Sequence, residues 1–125
     1  MRFFYLPIDM VYVYYKLGRK DESNEILNDK IQKLQTLDYK NKWDYLGLSR
    51  IYAFKGDRSK AIDYLSEYSK RDFSGGWHDF ILIDPLFENL RDDSQFKAIV
   101  QQAQEKKAAL RTQVNEMIER GELDL

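Results

Sequence analysis

Apolar side chains return every three to four positions along most of this chain, and short polar or glycine-containing breaks interrupt them. The clearest stretch covers residues 43–68, WDYLGLSRIYAFKGDRSKAIDYLSEY. Tyr45, Leu48 and Tyr52 fall on one stripe with Ile51 beside them, which is helical spacing. Gly56 stands where a helix C-terminus wants a residue free to take positive φ. Asp57 follows as a candidate N-cap, its carboxylate able to accept from the free N–H groups of the next turn. Ala61, Ile62, Leu65 and Tyr68 form a second apolar stripe. The pattern predicts a helical hairpin that turns at Lys55-Gly56-Asp57. Ala61 is the small residue where the two helices cross, and a larger side chain there should push them apart.

The same pattern occurs earlier. Tyr5, Ile8, Val11, Tyr12 and Tyr15 keep helical spacing over residues 4–17, with Met10 and Tyr14 as a second stripe. β-branched and aromatic residues also suit a strand. The length and the Lys16-Leu17-Gly18 stop, which echoes Phe54-Lys55-Gly56, favour helix. Pro7 fits only in a helix's first turn. Ser23, Ile26, Leu27, Ile31, Leu34 and Leu37 then mark a second helix over 21–37. Met10, Tyr14, Gly18, Ser23 and Leu27 correspond to Leu48, Tyr52, Gly56, Ala61 and Leu65 at a constant offset of 38 residues. Residues 38–42 link the hairpins and 71–76 end the second, Gly75-Gly76 being the most flexible point.

Beyond Gly76, Trp77, Phe80, Ile81 and Ile83 make one or two helical turns. Asp84-Pro85 reads as a capped helix start, with Leu86, Phe87 and Leu90 inward. Asp92 and Gln95 have the spacing of a capping box for the last helix, 94–120. Phe96, Ile99, Val100, Ala103, Leu110, Val114 and Met117 form its stripe. Such a helix spans roughly 40 Å, more than one hairpin covers, so its distal half is expected to project or to pack on another chain. The fold class read from the pattern is all-α.

The residues of the second hairpin resemble a tetratricopeptide repeat. That family's sequence of aromatic, Leu, small, Tyr, Gly, Ala and Leu falls on Tyr45, Leu48, Ser49, Tyr52, Gly56, Ala61 and Leu65. Tyr68 and Phe73 depart from it, as a terminal repeat would. The arrangement Asp-Pro-x-Phe-x-x-Leu-Arg-x-Asp-x-x-Phe over 84–96 is similar to the segment closing many bacterial arrays. The offset of 38 exceeds the family's period of about 34, which an extra turn before Trp43 explains. The resemblance implies one domain over 1–125: hairpins at 4–37 and 43–70, a degenerate third unit at 75–91 and a capping helix at 94–120. These would stack in a right-handed superhelix.

Composition narrows the partners. At 125 residues the chain is one domain by size, and its net charge of −1 lacks the basic excess of a nucleic-acid surface. It has no cysteine, hence no disulfide or thiolate site. No apolar run reaches the length of a membrane span. Asp9, a lone Arg2 and the lack of a small-residue cleavage site count against a signal peptide. The expected location is the cytoplasm.

Catalytic chemistry finds little footing. His78-Asp79 with Asp84 suggests a small metal-dependent hydrolase, but no second histidine exists. Asp79, Asp84, Asp92 and Asp93 sit near helix starts, where carboxylates usually cap. Gly75-Gly76 lacks the lysine and glycine spacing of a phosphate loop, no histidine is placed for serine chemistry, and no cofactor motif emerges. The chain is therefore expected not to be an enzyme.

The resemblance implies instead a groove lined by the first helix of each hairpin. Carried onto this chain, its binding residues are Tyr5, Tyr12, Tyr15 and Lys16 in the first hairpin, and Trp43, Arg50 and Phe54 in the second. The rings give a peptide large contact area, and Arg50 or Lys16 could hold a carboxylate. The same rings suit a core, or contact with a preceding repeat, equally well. Leu46 and Gly47 stand where the family's carboxylate clamp wants polar residues. Function is thus expected to be protein or peptide binding, with the tail of a larger regulatory protein as one setting for it. The alternative is a homodimerisation domain using residues 3–15 or the stripe from Phe96 to Met117.

Overall fold

The computed structural model describes residues 8–73 and 78–123, the side chain of residue 78 excepted. Every regular element among them is helical: α1 (Asp9–Lys16), α2 (Lys20–Gln35), α3 (Lys42–Lys55), α4 (Arg58–Arg71), α5 (His78–Ile83), a 3-10 helix (Pro85–Leu90) and α6 (Ser94–Glu119). The start of the first expected helix, Gly75-Gly76 and Trp77 lie outside the described residues.

α1–α2 and α3–α4 are hairpins closed by the same turn. Gly18 and Gly56 take φ of 80° and 84°, the left-handed region where any side chain is strained. After Gly18, the Arg19 N–H donates to the Tyr14 carbonyl (2.8 Å) and the Gly18 N–H to Tyr15 (3.1 Å). After Gly56, the Asp57 N–H donates to Tyr52 (2.9 Å) and the Gly56 N–H to Ala53 (3.1 Å). Both are complete Schellman endings, which satisfy carbonyls a helix otherwise leaves open.

Side chains cap the starts of α3, α4, the 3-10 helix and α6, whereas the starts of α1 and α2 have no side-chain cap. Asp57 accepts from the Lys60 N–H at 3.2 Å, as its position predicts. α3 starts with a reciprocal box inside the stretch expected to be a plain linker. The Asn41 amide oxygen accepts from Trp43 and Asp44 N–H (2.9 and 3.1 Å), and the Asp44 carboxylate accepts from Asn41 N–H at 2.9 Å. The expected Asp92 cap is corrected by one residue. Asp93 is extended (φ −70°, ψ 131°), and its carboxylate accepts from Gln95 and Phe96 N–H at 2.9 and 3.1 Å. Between α5 and the 3-10 helix, Asp84 is extended because Pro85 excludes the helical backbone before it.

α3 is the central element. Its Ile51 is fully buried with Val11, Ile26 and Leu27 of the first hairpin. Its Leu48 and Tyr52 belong to the larger cluster with Ala61, Leu65, Phe87 and Phe96. Because two sides of α3 are covered, Gly47, Ser49 and Ala53 are buried as well. Ala61 is wholly buried at the α3–α4 crossing. The 3-10 helix packs on α3, and α6 lies on α4 and α5.

Among the described residues, the packing on α6 is concentrated in its first half. Phe96 and Val100 are buried, and Lys106 Nζ donates to the Ser69 and Asp72 carbonyls at 2.8 and 3.0 Å. Farther on, Leu110, Val114 and Ile118 are 39–42% exposed. The 26-residue helix thus runs beyond its support. No helix among the described residues is long and apolar enough to cross a membrane.

Candidate functional site

The face shared by α1, α3 and α5 is organised by Arg50. Its side chain is 20% exposed, and its Nε donates to the Asp84 carboxylate at 2.6 Å. Its Nη2 donates to Asp9 and, at 3.5 Å, to Asp84 again. Asp84 also caps the 3-10 helix through Leu86 N–H (3.0 Å), and its carbonyl accepts from Arg91 (2.9 Å). One guanidinium on α3 therefore ties the start of α1 to the α5–3-10 junction. Burial works against the Arg50 charge, but Asp84 and then Asp9 outweigh it, and its pKa is raised above that of an ordinary arginine. The two carboxylates nearest Arg50 lie 41 and 34 residues away in the chain, so no local spacing announces them.

Beside this ion cluster is a cleft of about 370 Å³, with Leu46, Phe80, Ile83 and Pro85 as its apolar wall and Asp9, Arg50 and Asp84 as its polar edge. Phe80 and Ile83 are 56% and 74% exposed. Pockets in the range of roughly 300–1,000 Å³ suit small ligands or one to a few side chains of a partner.

The residues expected to line a groove are only partly brought together. Tyr12 and Tyr15 both meet the Phe54 ring edge-on, at centroid distances of 6.4 and 5.3 Å. Lys16 lies over the Tyr12 ring at 5.2 Å. These four form one aromatic cluster that closes α1 onto α3. Trp43 sits about 16 Å from Phe54 along α3, with its ring against Tyr68 at 6.0 Å and Lys42 over it at 4.9 Å. Arg50 lies between, engaged by Asp9 and Asp84. Tyr5 lies outside the described residues.

Three of the carboxylates considered for catalysis, Asp79, Asp84 and Asp93, have structural partners, and Asp92 is exposed. Asp79 pairs with Lys107 at 3.4 Å. Asp93 caps α6 and pairs with Arg58, and the Arg58 hydrogen bond, followed by the Phe96 N–H, holds its carboxyl below the usual aspartate range. The His78 side chain lies outside the described set. Among the described residues, no group of three or more His, Cys, Asp or Glu is placed to hold a metal ion.

No protein-family model, no curated protein and no solved structure matches this chain.

Proposed function

We propose that this chain is a tetratricopeptide-like module, part of a bacterial cytoplasmic protein, that binds a segment of a partner protein along the face made by α1, α3 and α5. The observation carrying this reading is the recurrence of one hairpin geometry at a spacing of 38 residues. The Arg19→Tyr14 and Asp57→Tyr52 turn bonds, and the Ser23→Arg19 and Ala61→Asp57 backbone bonds at 3.1 and 3.0 Å, all obey it. Units built alike and set side by side bury a shared core and leave the first helix of each on one surface, as solenoid repeats do. On that surface the Leu46, Phe80 and Ile83 wall offers apolar area to a partner, and Arg50 is a fixed polar landmark. A display library of peptides selected on the purified protein tests the reading. Selected peptides should lose binding with Ile83→Asp and Tyr15→Ala and keep it with Lys97→Glu on α6. Failure to select any peptide, or binding indifferent to the first two changes, would count against the groove.

The exposed row of Leu110, Val114 and Ile118 favours a second reading, a homodimer formed through α6. Light scattering with Val114→Glu separates the two: a dimer dissociated by this change supports it, and a wild-type monomer at high micromolar concentration removes it.

A further inference from the structure

On the other side of α3, an open cleft of about 770 Å³ lies between α2 and the α3–α4 turn. Its rim carries Lys55, Arg58 and Lys60 against the single carboxylate of Asp57. Arg58 is held by Asp93 and Gln95, and Asp57 caps α4. Lys55 and Lys60 are exposed and remain turned to the cleft. Among the described residues, the Lys55 ammonium has one hydrogen bond, to the neutral Asn28 amide oxygen at 3.3 Å. Lys60 stands over the Tyr52 ring at 5.0 Å, which positions its ammonium without neutralising it.

The floor is equally specific. Tyr52 is 6% exposed, and its hydroxyl accepts from the Gln35 amide at 2.8 Å. A hydroxyl has one proton to give. With the acceptor side used, that proton has no partner among the described residues and is left for an occupant of the cleft. The Gln32 and Gln35 side chains line the same wall. Each primary amide offers a donor and an acceptor together, the complement of a peptide bond.

We infer that this cleft binds an acidic peptide segment of a partner, its carboxylates meeting Lys55, Lys60 and the Tyr52 hydroxyl and its backbone meeting the glutamine amides. The charge balance disfavours a basic segment. The paired donor and acceptor amides and the size of the cleft favour a peptide over a free inorganic anion, which needs a compact nest of donors.

The test uses the whole chain labelled with ¹⁵N and an acetylated, amidated hexapeptide of alternating Glu and Leu. Amide shifts should move within 28–35 and 52–60. Lys60→Glu and Lys55→Glu should each weaken binding about tenfold, as loss of a charge-assisted hydrogen bond implies. Lys60→Gln should weaken it less, and Tyr52→Phe severalfold. Both lysines are exposed, so matching thermal melts will establish that the variants are folded. The inference is overturned if an alternating Lys and Leu peptide binds as well, or if inorganic phosphate alone moves the same amides equally. It is also overturned if the shifts lie elsewhere, or if folded charge-reversed variants bind like the parent.

Discussion

Ser49 donates its hydroxyl proton to the Ala61 carbonyl at 2.7 Å, across the α3–α4 crossing. At positions 38 residues earlier the bond exists with its direction reversed: Ser23 on α2 donates to the Val11 carbonyl on α1 at 3.0 Å. Both serines are buried, at 0% and 1% exposure. In each hairpin one side of the crossing is a small hydroxyl and the other a backbone carbonyl, so the helices approach closely and the buried oxygen is satisfied. Ser49→Ala should lower stability by about 1 kcal/mol, the net worth of such a bond. Ser49→Val adds bulk at the crossing and should cost about 1–3 kcal/mol. Urea unfolding of both variants, with Ser23→Ala as the counterpart, measures this. Equal stability of Ser49→Ala and the parent would show that the contact carries no net energy.

Two glycines of opposite character give a paired prediction. A Cβ on Gly47 would sit 3.6 Å from Ile8 Cδ1 and Leu34 Cδ1, ordinary van der Waals contact, in a helix interior. Gly47→Ala should therefore stabilise the protein by about 0.5–1 kcal/mol through reduced backbone freedom in the unfolded chain. Gly56 has open space around it but φ of +84°. Gly56→Ala should destabilise by about 1–2 kcal/mol, from backbone strain alone. Thermal melts of the two variants should shift in opposite directions.

Alkaline pH should weaken the fold through Tyr68. Burial, and then the neighbouring Asp72 charge, raise its pKa above the ordinary 10.0. The folded phenol keeps its proton where the unfolded one releases it. Tyr68 therefore contributes its full stability below pH 10, and the contribution falls as pH climbs above that value, because the unfolded state then binds fewer protons than the folded one. Urea midpoints measured between pH 9 and 11 should fall for the parent and fall less steeply for Tyr68→Phe. Parallel curves would mean that Tyr68 is not the group responsible.

What was readable in the chain was local. Gly18 and Gly56 need only their own backbone and the preceding turn, so the stops after Lys16 and Lys55 were visible as sequence. Asp57 needed only the next three N–H groups. The distal half of α6 could be foreseen to outrun its support from length alone. The Asn41 cap is hidden because polar linkers and caps share the same residue types. Asp92 and Asp93 are adjacent acids, and only the backbone angles distinguish them. The Arg50 cluster was not legible, since Asp9 and Asp84 come from different helices and carboxylates near helix starts read as caps. Trp43 shares a helical face with Arg50 and Phe54, yet its ring finds Tyr68, a partner that depends on how α4 crosses.

The Arg50 cluster should show a steep ranking of its two carboxylates. Asp84 is 13% exposed and Asp9 69% exposed, while both touch one guanidinium that is itself 20% exposed. An exposed pair gains little, because water screens it, whereas a partly buried charge left without its partner loses much more. Asp9→Asn should cost less than about 0.5 kcal/mol. Asp84→Asn keeps an oxygen that can cap the 3-10 helix but takes away the charge and one acceptor facing Arg50, and should cost about 2 kcal/mol or more. Raising salt to 1 M should shrink the Asp9 effect, since exposed charges are then screened within about 3 Å, and leave most of the Asp84 effect. A double-mutant cycle with Arg50→Met, read by urea unfolding at both salt concentrations, isolates each pair. Equal coupling energies for Asp9 and Asp84 would mean that burial does not set the strength of this clasp.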